Sequence, residues 1–208
     1  MRIGIDFDNT IACYDGVFHA AALERNLIPV DLPSDKNAVR DFLNGSGRAN
    51  DFTELQGYVY GARMDLVLAY AGFGAFLARA LAANHEVFVV SHKTRHPMLG
   101  PKYDMHAAAR GFLVSKGIAG EGAGLIAPTN VYFELTKEEK IARAAALELN
   151  VFIDDLPEIL TMPGLPQRTR PLLFDPNRSH KNGVAGRADI AVCSSWDEIA
   201  ATVLGPAP

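Results

Sequence analysis

From Gly72-Phe73-Gly74 onward the chain alternates short apolar runs with stretches of helical periodicity. No other feature of the sequence restricts the fold as much. The runs are residues 86–91 (EVFVVS), a possible strand near 131–134, 151–154 (VFID), 171–174 (PLLF) and 189–193 (DIAVC). Helical patterns fall at about 75–83, at about 104–116, from a Thr136 cap to about 149, and over Trp196–Leu204. Residues 2–7 (RIGIDF) open the chain with a further β-branched run. Strands joined by helices pack as a parallel sheet with helices on both faces, so the expected fold class is α/β. Ligands of such sheets bind beyond the carboxyl ends of the strands. Three of these runs end there in an acid or a hydroxyl: Asp6, Ser91 and Asp154.

Residues 11–73 interrupt the alternation. Val17, Phe18, Ala21 and Ala22 share one helical face, and Ser34 is placed to cap a second helix carrying Val39, Phe42 and Leu43. Asp51 with Glu54 reads as a capping box for a third helix, and a fourth is expected from about Arg63 to Ala71. The expected organisation is a core from 1–10 and 74–208 with a helical insertion at 11–73, Gly72 and Gly74 forming the hinge. A length of 208 residues suits one α/β domain with a modest insertion.

The net charge of −4 argues against broad nucleic-acid binding. Cys13 and Cys193 are far apart and match no metal-ligand spacing, which fits a reducing compartment. Charge at Arg2 and Asp6 comes too early for a signal peptide, and no apolar run approaches the length of a membrane span. The expected location is the cytoplasm.

Asp6 and Asp8 stand at i and i+2, so on an extended chain both carboxylates project to one side. They can then face one metal ion or one phosphorus, although Asp and Asn are also common at strand-to-turn exits. Asp154-Asp155 ends another apolar strand. Adjacent carboxylates beside a core repel each other unless a cation offsets them. Mg²⁺ accepts a few hard oxygen ligands together with water and substrate phosphate, which this set could supply. Ser91 places a hydroxyl where a phosphate oxygen could bind. Lys137 and Lys140 begin a helix, where a lysine opposes the helix dipole unless another interaction compensates.

In chain order these features resemble the four motifs of the haloacid dehalogenase superfamily. Ile3-Gly4-Ile5-Asp6-Phe7-Asp8-Asn9-Thr10 matches the first, Val89-Val90-Ser91 the second, and Phe152-Ile153-Asp154-Asp155 the fourth. The third motif is only a lysine. Both Lys137 and Lys140 qualify, and Lys140 is preferred because it begins the apolar-periodic part of its helix. The resemblance covers residues 1–10 and about 74–193 and implies a Rossmann-like sheet, with residues 11–73 in the place of the family's cap.

It further implies that Asp6 attacks phosphorus and that Asp8 protonates the leaving oxygen, then activates water. Mg²⁺ is implied as cofactor, held by the Asp6 carboxylate, the Asp8 backbone carbonyl and Asp155, with Asp154 in support. Ser91 and the lysine would offset phosphoryl charge. The expected substrate is a small phosphorylated metabolite. The ending Ile-Asp-Asp-Leu-Pro-Glu and the lysine upstream are also similar to deoxyribonucleotidases of the superfamily, so a nucleotide phosphatase is the alternative. A binding domain that has lost catalysis is the reading from another class, and retention of all the aspartates weighs against it.

Asn9, Thr10, His92, Lys93 and Arg95 are candidate substrate contacts near the strand ends, with Arg63 as a candidate in the insertion. The stretch from Arg178 to Lys181 is a second basic segment of the same kind, with solvated loop the preferred reading. Substrate identity and oligomeric state are left open by the sequence.

Overall fold

In the computed structural model, residues 1–180, 183–184 and 186–206 are described. The chain runs β1 (Arg2–Ile5), β2 (Ala12–Cys13), α1 (Val17–Glu24), α2 (Lys36–Gly45), α3 (Ala49–Ala62), β3 (Leu68–Ala69), α4 (Phe73–Ala82) and β4 (Glu86–His92). It continues through α5 (Met105–Ser115), β5 (Val131–Glu134), α6 (Lys137–Ala146), β6 (Val151–Asp154), α7 (Pro157–Leu160), β7 (Arg170–Phe174), β8 (Ala191–Cys193) and α8 (Trp196–Leu204). Two compact units result. One is built from Met1–Ala12, Ala69–Lys93 and the chain from Lys116 onward; the other is built from Cys13–Leu68 and Thr94–Ser115.

The first unit holds a six-stranded parallel sheet in the order β5-β4-β1-β6-β7-β8. The inner stretches of its central strands are apolar because both faces are covered. Phe88, Val90, Phe152 and Leu173 pack with Ile141 and Ala144 of α6 and with Ile159 and Leu160 of α7. Phe174, the neighbour of Leu173, points to the opposite face. It meets Trp196 there, which also packs on Phe73 and Phe76 of α4. Each of these fully buried aromatics contributes about 2–3 kcal/mol of transfer free energy. The Trp196 indole N–H donates to the Thr10 carbonyl at 3.1 Å, tying α8 to the turn after β1.

Helix α6 starts where the sequence places its cap. The Thr136 side chain accepts from the Glu139 N–H, and the Glu139 carboxylate accepts from the Thr136 N–H. With the start fixed, Lys140 lies on the buried face of the helix beside Ile141 and Ala144.

The second unit departs from the sequence reading in three places. Helix α2 is capped by Asp35, whose carboxylate accepts from the N–H groups of Asn37 and Ala38, and not by Ser34. Helix α3 begins at Ala49, so Asp51 lies inside the first turn, where it pairs with Arg48 at 2.6 Å and leaves no capping box. No α-helix forms from Arg63 to Ala71. Beyond a 3₁₀ turn at Met64–Leu66, Val67 is extended and fully buried, and the chain enters β3, which pairs with β2. Burial of Val67 and pairing of this backbone outweigh the weak helical pattern of the segment.

The sequence pattern also gives no sign that Thr94–Ser115 joins this unit. The fit depends on two glycines one helical turn apart on α3. A Cβ at Gly57 would lie 2.5 Å from Pro97 Cβ, and one at Gly61 would lie 2.2 Å from Tyr103 Cβ. Absence of both side chains lets the segment from Pro97 to Tyr103 lie against the helix backbone. Gly72, by contrast, does have the left-handed φ of 83° that suits a glycine at the start of α4.

Candidate active site

Strand order makes the site. β1 lies between β4 and β6, and the pairing of Ile5 with Ile153 sets Asp6 level with Asp154. The Asp6 N–H donates to the Ile153 carbonyl at 2.9 Å, extending the ladder to the nucleophile candidate itself. Ser91 lies near the end of β4 on the other side. Immediately after Asp8 the chain reverses through Asn9, which takes a left-handed φ of 56°, and the Ile11 and Ala12 N–H groups bond back to the Phe7 carbonyl. A short polar side chain tolerates that conformation better than an apolar one would.

Asp6, Asp8, Asn9, Ser91, His92, Lys137, Lys140, Asp155, Leu156 and Ile159 line a pocket of about 110 Å³. That is the room of a few water molecules. Lys140 is the centre of its charge. Its ammonium is buried and lies 2.5 Å from Asp6 Oδ1 and 2.5 Å from Asp154 Oδ2. Lys137 pairs with Glu158 of α7 at the more exposed side. Asp154 is fully buried, and its Oδ1 accepts from the Leu156 N–H at 3.0 Å. Both Asp154 oxygens are thus engaged within the protein, whereas Asp155 is only half-buried and faces the pocket. Oxygens of Asp6, Asp154 and Asp155 all lie within 4.8 Å of one another. Three hard carboxylate donors at that spacing fit a magnesium-sized cation.

Ser91 Oγ is buried with no hydrogen-bond partner among the described residues. A buried hydroxyl left unpaired costs free energy, so its site suits an oxygen ligand supplied from the pocket. Thr10 is also fully buried and donates toward Asp6 Oδ2 at 3.4 Å, which makes it a support of Asp6. Asn9 and His92 reach the pocket directly. Lys93 does not line it; its ammonium is buried and bonds both oxygens of Asp8.

Arg95 and Arg63 belong to the second unit, and each has carboxylate partners there. Arg95 bonds Asp104, and Arg63 pairs with Glu24 and Asp65. In the other basic segment the N–H groups of Ser179 and His180 bond the buried Asp175, while Lys181 lies outside the described residues. The apolar wall from Leu156 and Ile159 goes unnoticed in the sequence reading, although the Asp-Leu-Pro-Glu helix start placed them beside Asp155.

Burial raises the Asp154 carboxyl to about 7, against the opposing pull of Lys140. Asp155 is also pushed well above the carboxylate range, first by burial and then by the charges of Asp6 and Asp154. Burial alone would lower the Lys140 ammonium, but Asp154 and Asp6 outweigh it and hold the group above its ordinary value. The native chain therefore keeps a proton on Asp154 that the unfolded chain releases near 3.8. Between those two values the native state binds more protons, so metal-free stability falls as pH rises through the window. In chelator, the melting temperature of the wild type should fall more from about pH 5 to about pH 7.5 than that of Asp154→Asn. Excess Mg²⁺ should shrink the difference, because it binds the ionised carboxylates. Parallel pH profiles for the two proteins would rule out Asp154 burial as the cause.

Family models give no match to the chain, and a search of curated proteins by sequence gives none either. Solved structures do match it along its length. A predicted phosphatase from Clostridium acetobutylicum superposes with a TM-score of 0.59 at 16% identity, covering 99% of this chain and 98% of that one. A HAD family hydrolase from Deinococcus radiodurans R1, with bound phosphate and sodium, gives 0.56 at 19% identity over 97% and 94%. The fold is haloacid dehalogenase-like. A haloacid dehalogenase-like hydrolase from Xanthomonas campestris gives 0.57 at 10% identity, covering 98% and 94%. Identities this low carry the fold and not the chemistry. What a haloacid dehalogenase-like sheet contributes here is the adjacency of β4, β1 and β6. No helix among the described residues is long and apolar enough to cross a membrane.

Proposed function

We propose that the protein is a Mg²⁺-dependent phosphomonoesterase that acts on a small phosphorylated metabolite through an aspartyl-phosphate. The reading is carried by the convergence of Asp6, Asp155, Lys140 and the unpartnered Ser91 hydroxyl on one pocket at three adjacent strand ends. In the first step an Asp6 oxygen bonds to phosphorus as the bond to the ester oxygen breaks, and Asp8 gives that oxygen its proton. In the second step a water oxygen attacks the same phosphorus. Asp8 takes the proton from the water, and the bond from Asp6 to phosphorus breaks.

Mg²⁺ would be held by Asp6, the Asp8 carbonyl and Asp155, with Asp154 behind, and it would supply charge neutralisation at the phosphoryl oxygens. Lys140 adds a second positive charge beside Asp6. Ser91 offers a donor to a phosphoryl oxygen, and His92 and Asn9 border the same space. The resting partner of Asp6 is thus a cation that can be shared with an incoming phosphate.

The test is a panel of phosphate monoesters assayed with purified protein in Mg²⁺ and again after chelation with EDTA. Turnover of at least one ester, abolished by EDTA and restored by Mg²⁺, is the expected result. Absence of turnover on sugar, nucleotide and aryl phosphates alike, or full activity in EDTA after verified metal removal, would overturn the reading. Preference for nucleoside monophosphates in the same panel would favour a nucleotide phosphatase.

A further inference from the structure

Lys93, one of the candidate substrate contacts in the sequence, faces inward in the structure. The Lys93 side chain is 3% exposed, and its ammonium lies 2.9 and 2.7 Å from the two carboxylate oxygens of Asp8. The Lys93 N–H donates to the Glu134 carbonyl at 2.8 Å, which carries the β4–β5 pairing one residue past the strand. The ammonium also lies 5.4 Å from the centre of the Phe7 ring. Backbone, stem and charge are therefore all fixed.

We propose that Lys93 is a positioning residue for Asp8, a role that rests on the phosphatase reading above. An aspartate 23% exposed at its side chain, on a turn after a strand, can swing between rotamers. Contact of one ammonium with both of its oxygens removes that freedom and holds the carboxylate at the pocket wall. Direct binding of the substrate by Lys93 would need its ammonium at the pocket surface, and the lining residues include Asp8 but not Lys93. Proton delivery to the leaving oxygen depends on placement to within about an ångström. Lys93 thus acts on the ester only through Asp8.

A misplaced proton donor hurts poor leaving groups more than good ones. Phenyl phosphate and 4-nitrophenyl phosphate are nearly the same size, but only the phenolate of the first needs a proton as it departs. kcat/KM for both esters should therefore be measured in the wild type, Lys93→Met, Lys93→Arg and Asp8→Asn. Lys93→Met is expected to lose about ten-fold or more on phenyl phosphate beyond its loss on 4-nitrophenyl phosphate. Asp8→Asn should show the same imbalance, and Lys93→Arg, which keeps a cation facing Asp8, should recover part of it. Melting curves and circular dichroism on the same proteins separate misfolding from misplacement, with Lys93→Arg carrying the test if Lys93→Met is unfolded. Equal losses on the two esters in a folded Lys93 variant, with an active wild type, would overturn the positioning role and leave the phosphatase reading intact. A wild type inactive on both esters and on the wider panel would overturn the phosphatase reading, and the positioning role with it.

Discussion

Asp6→Asn is expected to lower kcat/KM for any ester the wild type hydrolyses by roughly four orders of magnitude or more, the scale of deleting a covalent catalytic group. An amide oxygen at this position is a poor nucleophile. The fold should survive. The change is nearly isosteric, the Ile153 contact to residue 6 uses its backbone, and Lys140 keeps Asp154 at 2.5 Å as a partner. Two measurements check this. Steady-state rates should collapse, and acid-quenched wild type should carry a phosphoryl group on protein that the variant lacks. Retained turnover in a folded Asp6→Asn preparation free of wild type would remove Asp6 from the chemistry.

Lys140→Ala should damage both rate and stability, and the second effect comes from the tertiary structure. A lysine near a helix start reads as a surface residue whose loss the fold would tolerate. Here the ammonium is buried between two buried carboxylates, so its removal leaves Asp6 and Asp154 facing each other without a cation. Breaking a buried pair from one side costs about 3–5 kcal/mol. Thermal melts in EDTA should show a large drop for Lys140→Ala, partly recovered by saturating Mg²⁺. Lys137→Ala, which loses only the exposed pair with Glu158, should stay within about half a kcal/mol of wild type. The ester-hydrolysis rate should follow the same order. A Lys137 effect larger than that of Lys140 would mean that the wrong lysine has been placed in the mechanism.

The sheet was legible in the sequence because parallel strands covered on both faces must be apolar along their length. The runs ending at Ser91, Asp154 and Phe174 carry that signature. Helix α6 was legible because Thr136 and Glu139 are a local device, complete within four residues. The same local reading fails in the second unit. Asp35, and not Ser34, stands where its carboxylate can accept from two free N–H groups of α2, and Asp51 lies inside the first turn of α3 and turns to Arg48. The stretch from Arg63 to Ala71 fails for a different reason. Its helical spacing is real but weaker than the burial of Val67 and the pairing of β3 with β2.

Sequence alone therefore determined the acids and their order along the chain: Asp6 and Asp8 at i and i+2, Ser91 after one apolar run, and Asp154-Asp155 after another. Those are matters of local spacing along the chain. What only the tertiary structure decided is which charges meet. The placement of β1 between β4 and β6 brings together residues more than eighty positions apart, Lys140 against Asp6 and Lys93 against Asp8, and Lys140 meets Asp154 at the same strand ends. No periodicity records such a pairing, because it is selected by the desolvation of each cation at the end of a packed sheet, where a charge is stable only beside its opposite.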